Sequence, residues 1–288
     1  MSRNPRRIAA LLAGAALLTA ATSAAAWPFG ASSAATSPPA TGRKTQTGPQ
    51  KATPEQRAAA NRLDPLARAA FWQHELSIDP KDPEAGVALA SALRQLGRYD
   101  EAADTAERML LFSPKNEDAL LESARAHIAA GHGFYAIAPL KQAEALYPKD
   151  WRPVSLMGVA LEQDERPDEA FAAYNKALKM SPNNPAVLTN LGLFYAQRGD
   201  QIQAEMLMRQ AAAQPGATAQ ERQNLALVLG LNGKLTEAEH LIRQDLPPEA
   251  ADADLAYLKA SMGHVSLTAN AEPAAQAGPA PQALNVVQ

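Results

Sequence analysis

Four prolines, Pro80, Pro114, Pro148 and Pro182, recur at a step of 34 residues. Five alanines, Ala102, Ala136, Ala170, Ala204 and Ala238, keep the same step. So do four glycines, Gly97, Gly131, Gly199 and Gly233, with Glu165 in the vacant place. Proline is 22 of 288 residues, so four in line mean little alone; agreement of three residue types on one step is the constraint. Each type has a physical task. Proline closes a helix because it lacks the N–H that would continue it. Glycine supplies the positive φ that ends a helix, and alanine lets two helices approach closely. The chain is therefore read as a stacked helical array, a class that binds other proteins more often than it catalyses.

A step of 34 with a small residue, Ala and Pro at these offsets is the tetratricopeptide pattern. The expected fold class is all-α, a tetratricopeptide-repeat right-handed superhelix of antiparallel helix pairs. Full repeats read as 83–116, 117–150, 151–184 and 185–218, with a fifth over 219–250. In 185–218, Leu188, Leu191, Gly192 and Tyr195 form the i, i+3, i+4, i+7 stripe of a first helix. Ahead of the array, 54–82 reads as a capping half repeat whose Phe71, Trp72 and Leu76 match a second helix. A last helix over 251–263 covers the far end.

Both ends read differently from the body. Residues 1–26 combine a basic start, an apolar run and an Ala24–Ala26 cleavage site, which describes a secretory signal peptide. Cleavage after Ala26 is expected; the alternative is an uncleaved anchor, since 8–26 approaches the length of a span. Residues 27–53 hold little that can be buried and read as a disordered linker, and 264–288 as a disordered Ala/Pro/Gln-rich tail. The expected location is exported, periplasmic or envelope-associated. With no cysteine the chain is not a lipoprotein, forms no disulfide and has no thiolate site. Loss of the leader, which carries Arg3, Arg6 and Arg7 and no acid, would take the formal charge from −3 to −6. That balance argues against nucleic acid. Membrane contact is expected only through an uncleaved leader or a partner.

No constellation announces chemistry. His127 and His132 flank a helix end without a carboxylate at i±4, so they read as solvated or packed histidines and not as metal ligands. Asp164, Glu165, Asp168 and Glu169 stand at the start of a second helix, where acids favour the helix dipole. No nucleophile elbow, zinc helix or phosphate loop occurs. The chain reads as a non-enzyme with no cofactor and no metal. Pro139 falls inside the second helix of 117–150, which should therefore be kinked or begin late.

The remaining surface is the concave one. Positions two, five, nine and twelve of each repeat should face it, giving an apolar stripe of Val87, Leu121, Ile128, Val159, Leu193 and Leu227. Arg94, Arg125, Arg152 and Glu162 should rim that stripe. Such a groove suits an extended or helical segment of another protein.

Particular stretches go beyond the generic repeat. Leu66–His74, Gly131–Ile137, Asp150–Pro153, Ser181–Asn190 and Arg222–Gly230 resemble the TadD family of tight-adherence (Flp) pilus assembly proteins, a likeness that covers roughly 65–260. The resemblance implies an accessory factor of the cell envelope that helps the pilus secretin reach the outer membrane and oligomerise. Many such proteins are lipoproteins, and this chain departs from them in lacking cysteine. The expected partner is the pilus secretin or another pilus assembly component; the alternative is a general adaptor of a different envelope complex.

Overall fold

The computed structural model describes residues 50–268. The leader 1–26, nearly all of the linker and the tail beyond Thr268 lie outside them. Among the described residues thirteen helices follow one another: α1 (Pro54–Ala60), α2 (Pro65–Ile78), α3 (Pro83–Gln95), α4 (Tyr99–Phe112), α5 (Glu117–Ala129), α6 (Gly133–Leu146) and α7 (Trp151–Gln163). Then come α8 (Pro167–Met180), α9 (Pro185–Gln197), α10 (Gln201–Ala212), α11 (Ala219–Leu231), α12 (Leu235–Asp245) and α13 (Pro248–Thr268). First helices start at residues 83, 117, 151, 185 and 219, and second helices at 99, 133, 167, 201 and 235, so every start keeps the 34-residue step. Helix α2 starts at 65, in the same register as the second helices.

Local chemistry sets these starts. Asp82, Asn116, Asp150, Asn184 and Thr218 cap the five first helices, each side chain accepting a hydrogen bond from a first-turn amide. Second helices begin straight after a tight turn. The amides of Arg98, His132, Arg166, Asp200 and Lys234 donate back to the carbonyls of Leu93, His127, Leu161, Tyr195 and Leu229, at 2.8–3.0 Å. This is the six-to-one bond of a left-handed helix end. Gly97, Gly131, Gly199 and Gly233 take φ of 76–82° there; Glu165 takes 57°, the one non-glycine with positive φ among the described residues.

The five step-keeping alanines are fully buried where second helix meets first. First helices also touch the first helix of the next repeat. Second helices pack on first helices; the backbones of successive second helices stay farther apart and meet through exposed ion pairs, Lys176 with Glu144 and Arg209 with Glu237 at 2.6 Å. The array thus has an inner layer, α3, α5, α7, α9 and α11, and an outer one. Its hydrophobic interior is nearly continuous: one cluster joins α2 to α5, a second α5 to α10, and a third α9 to α13. At the far end Leu255 and Leu258 of α13 close that third cluster.

Two expectations meet corrections. Helix α6 does not begin late: it runs unbroken from Gly133 to Leu146 with Pro139 inside it. The local cost of about 3 kcal/mol is offset because Ala136, Ile137, Leu140 and Ala143 on the same helix are buried in the central cluster. The end of the expected disordered linker is fixed in place. Lys51 Nζ stands 2.6 Å from Asp79 and 3.1 Å from Asp82, the Ala52 amide donates to Glu75, and Thr53 caps α1. Arg57 of α1 completes this ionic knot, reaching Glu75 at 2.6 Å and both Asp82 and Glu84 at 2.7 Å.

Candidate functional site

The inner layer mixes buried apolar and half-buried polar side chains. Leu121, Ile128, Val159, Leu193 and Leu227 are buried and belong to the hydrophobic clusters, while Val87 is half-buried against the first. The apolar stripe expected from the spacing is therefore covered, and the polar members are what the inner layer offers water. Gly230, also placed on this face by its spacing, underlies Leu258 of the terminal helix: a β-carbon there would lie 2.9 Å from that leucine.

The structure brings three of the expected rim arginines together. Arg94 of α3 donates from Nε to Glu122 of α5 at 2.5 Å. Arg125, one turn along α5, reaches the other Glu122 oxygen only at 3.5 Å, and its Nε is buried with no hydrogen-bond partner. Arg152 of α7 sits among three acids, Asp150 at 2.7 Å, Glu117 at 3.2 Å and Asp118 at 3.7 Å. Burial pulls Arg125 below the ordinary guanidinium value; Glu122 opposes this, and the positive charges of Arg94 and Arg152 add to it. Burial also pushes Glu117 up, as does the adjoining Asp150 carboxylate.

Glu162 stands apart from that group, at the other end of α7. Burial raises its pKa, against the Tyr174 hydroxyl donating at 2.6 Å and Arg198 at 3.0 Å. Farther along the layer, Asn190 donates to Ser155 at 3.2 Å, and the buried Thr189 hydroxyl has no partner. Spacing alone missed Glu122, Asn190 and Asn224, which share position six of their repeats. Their signal was a polar side chain set inside an otherwise apolar run, as in Leu120-Leu121-Glu122 and Asn224-Leu225-Ala226.

Among the described residues no three His, Cys, Asp or Glu side chains gather as a metal cluster, and no helix is long and apolar enough to cross a membrane. His127 instead meets Glu107 of α4 at 2.8 Å. In the acidic cluster Arg166 pairs with Asp164 at 3.3 Å and Glu169 at 2.8 Å. The outer layer has its own cleft of about 740 Å³ between α2 and α4, lined in part by Leu66, Ala70, Leu93 and Leu111 and edged by Arg98, Glu101 and Arg108.

Comparison with known proteins places three overlapping stretches, 83–126, 121–185 and 173–206, on family models described as tetratricopeptide repeat. The fold is similar to a tetratricopeptide repeat protein from Parabacteroides merdae, with a TM-score of 0.59 and 16% identity over 72% of this chain and 85% of that one. It is also similar to a thermophilic tetratricopeptide repeat protein of Thermus thermophilus, with a TM-score of 0.53 and 22% identity over 61% and 94% of the two chains. These likenesses concern the fold alone. The mouse (Mus musculus) protein O-mannosyl-transferase TMTC1 is 24% identical over 166 residues, 56% of this chain. The match spans only 18% of that relative's length.

Proposed function

We propose that this chain, a tetratricopeptide-repeat array, is a non-catalytic scaffold that takes a segment of another protein along its inner layer. The observation that carries the reading is the row of Arg94, Glu122, Arg125 and Arg152 across three consecutive inner helices. A charged row that crosses repeat boundaries is a recognition surface of the kind stacked repeats present. Of the residues expected on this face, Arg94, Arg125 and Arg152 lead in the proposal. Leu121, Ile128, Val159, Leu193 and Leu227 give the row a rigid apolar backing.

The finer reading is an envelope chaperone of the tight-adherence (Flp) pilus, acting on the secretin after export. It is supported by the family-like stretches from Leu66–His74 to Arg222–Gly230 and by the leader-like first 26 residues. An unheated gel of envelopes from a deletion strain, probed for heat-resistant secretin multimers, tests it. Loss of multimers with monomer retained is the expected result. Unchanged multimers would move the array to another envelope complex while leaving the scaffold reading in place.

A further inference from the structure

The cleft between α2 and α4, on the outer layer, is an apolar surface that the chain's own helices leave open. At about 740 Å³ it falls within the range of sites that bury a ligand, about 300–1,000 Å³. Leu89 and Leu93 form its buried floor, while Leu66 and Leu111 at its walls are 66% and 78% exposed. Farther along the outer layer, Lys176 and Glu144 bridge α8 to α6, and Arg209 and Glu237 bridge α10 to α12. At this seam the charged groups pair elsewhere, Glu75 of α2 with Arg57 at 2.6 Å and Glu101 of α4 with Arg98 at 2.5 Å. The rim is acidic on balance, with Glu101, Asp104 and Glu107 against Arg98 and Arg108. Asp104 is exposed. Large apolar side chains left this bare mark a docking surface.

We propose that residues 27–49 of the chain itself strap this cleft, with Trp27 and Phe29 seated against Leu66 and Leu111 while Arg43 and Lys44 pass the acidic rim. The content of the segment fits. Trp27 and Phe29 are the only large apolar residues in 27–49, and Pro28 between them holds Trp27 extended. Each ring brings about 150–250 Å² to bury. Arg43 and Lys44 are the only charged residues there, and both are basic. The tether also starts in the right place. Lys51 and Ala52 are pinned to Asp79, Asp82 and Glu75, at the end of the helix that walls the cleft. Helix α2, with 14 residues, is about 21 Å long. The 21 residues between Phe29 and Lys51 can span about 70 Å, so Phe29 reaches any point along it. The tail beyond Thr268 leaves the array at its opposite end. Tethering sets a local concentration of about 1 mM, which keeps a contact with a Kd of about 0.1 mM mostly filled.

Because the chain has no cysteine, two introduced thiols report the contact without interference. Gly30→Cys and Ala70→Cys are placed together in the full chain, and disulfide formation under a mild oxidant is followed on non-reducing gels. An intramolecular disulfide is expected. Trp27→Ser with Phe29→Ser should slow it about fivefold or more, since the tether alone then sets the encounter. Leu111→Asp should slow it as well; that side chain is 78% exposed, so the fold does not rest on it, and circular dichroism checks this. Mass spectrometry confirms that every variant begins at the same residue. One rate in all variants would overturn the proposal and leave only proximity along the tether. Disulfide-linked dimers in place of the intramolecular product would overturn it too, and would assign the cleft to a second copy of the chain. None of these substitutions touches the inner layer, so either result leaves the scaffold reading standing.

Discussion

A β-carbon built on Gly158 would stand 2.4 Å from Cε1 of Tyr174 and 2.6 Å from its Cδ1, so the bare backbone of α7 is the seat of an aromatic ring from α8. Gly158→Ala must push the ring or the helix pair aside, at a cost of about 1–3 kcal/mol. Gly192 holds the same place one repeat later, but its nearest neighbour is Met208 Cγ at 3.0 Å, on a side chain that bends readily. Urea unfolding should therefore rank Gly158→Ala as clearly more damaging than Gly192→Ala. Equal losses would mean that the ring is not what the glycine accommodates.

Glu165 closes the turn between α7 and α8 with φ of 57°, where the other four repeats place glycine. Left-handed backbone costs an ordinary residue about 1 kcal/mol or more. Glycine avoids that cost and returns part of it as extra freedom in the unfolded chain. Glu165→Gly should stabilise the array by about 0.5–1 kcal/mol and raise its melting temperature by roughly 2 °C. A lower melting temperature would show that the glutamate side chain makes a compensating interaction.

The ionic knot at the N-terminal end predicts acid sensitivity. Burial alone would raise the Asp82 carboxyl, but Arg57, Lys51 and the Ala85 amide outweigh it and hold the pKa at about 2, against an ordinary 3.8. Glu205, bound by Lys234, Asn232 and Arg209, is likewise held at about 2. A depressed folded-state value means that the stabilisation is present above the unfolded value and lost as pH falls toward the folded one. Stability should therefore decline between about pH 4.5 and 2, with Asp82 contributing about 2 kcal/mol of the change. In urea titrations across that window, Asp82→Asn should start less stable and flatten the slope. An unchanged slope would exclude Asp82 as a source.

Tyr174 and Glu162 make the opposite test. The hydroxyl donates to the Glu162 carboxylate at 2.6 Å, and burial pushes the carboxyl up despite that bond. A raised folded-state value means that stability falls as pH rises from the unfolded 4.5 through the folded value. Tyr174→Phe removes a donor that binds the charged form more strongly than the neutral one, so it should cost about 1–2 kcal/mol at pH 7. The cost should shrink as pH falls through the raised folded value and Glu162 takes up its proton. A pH-independent cost would indicate lost packing and not a lost bond to the anion.

What the sequence made legible follows from where each force acts. Turns, caps and the alanine contacts are local or repeat at a fixed offset, so the 34-residue step disclosed the helix pairs. Arg57–Glu75 and Arg94–Glu122 join residues 18 and 28 apart through long side chains that no periodicity reveals. At Pro139 the late start that a local rule allowed does not occur, because Ile137 and Leu140 on the same helix are buried and hold α6 from Gly133 onward. The inner row was half legible. Spacing found Arg94, Arg125 and Arg152, yet it could not tell that Leu121 and Leu193 would be covered or that Glu122 would stand between two arginines.

The sparse contact between successive second helices has a mechanical consequence. Each outer helix leans chiefly on the inner row and meets its outer neighbours only through exposed ion pairs, so the inner row behaves as a spine and the outer helices as ribs. Pitch is then the soft coordinate of the molecule: many small rotations between repeats add up to a large change in bore while every repeat keeps its own core. On the scaffold reading proposed above, such a spring would take segments of different girths without unfolding any of its coils.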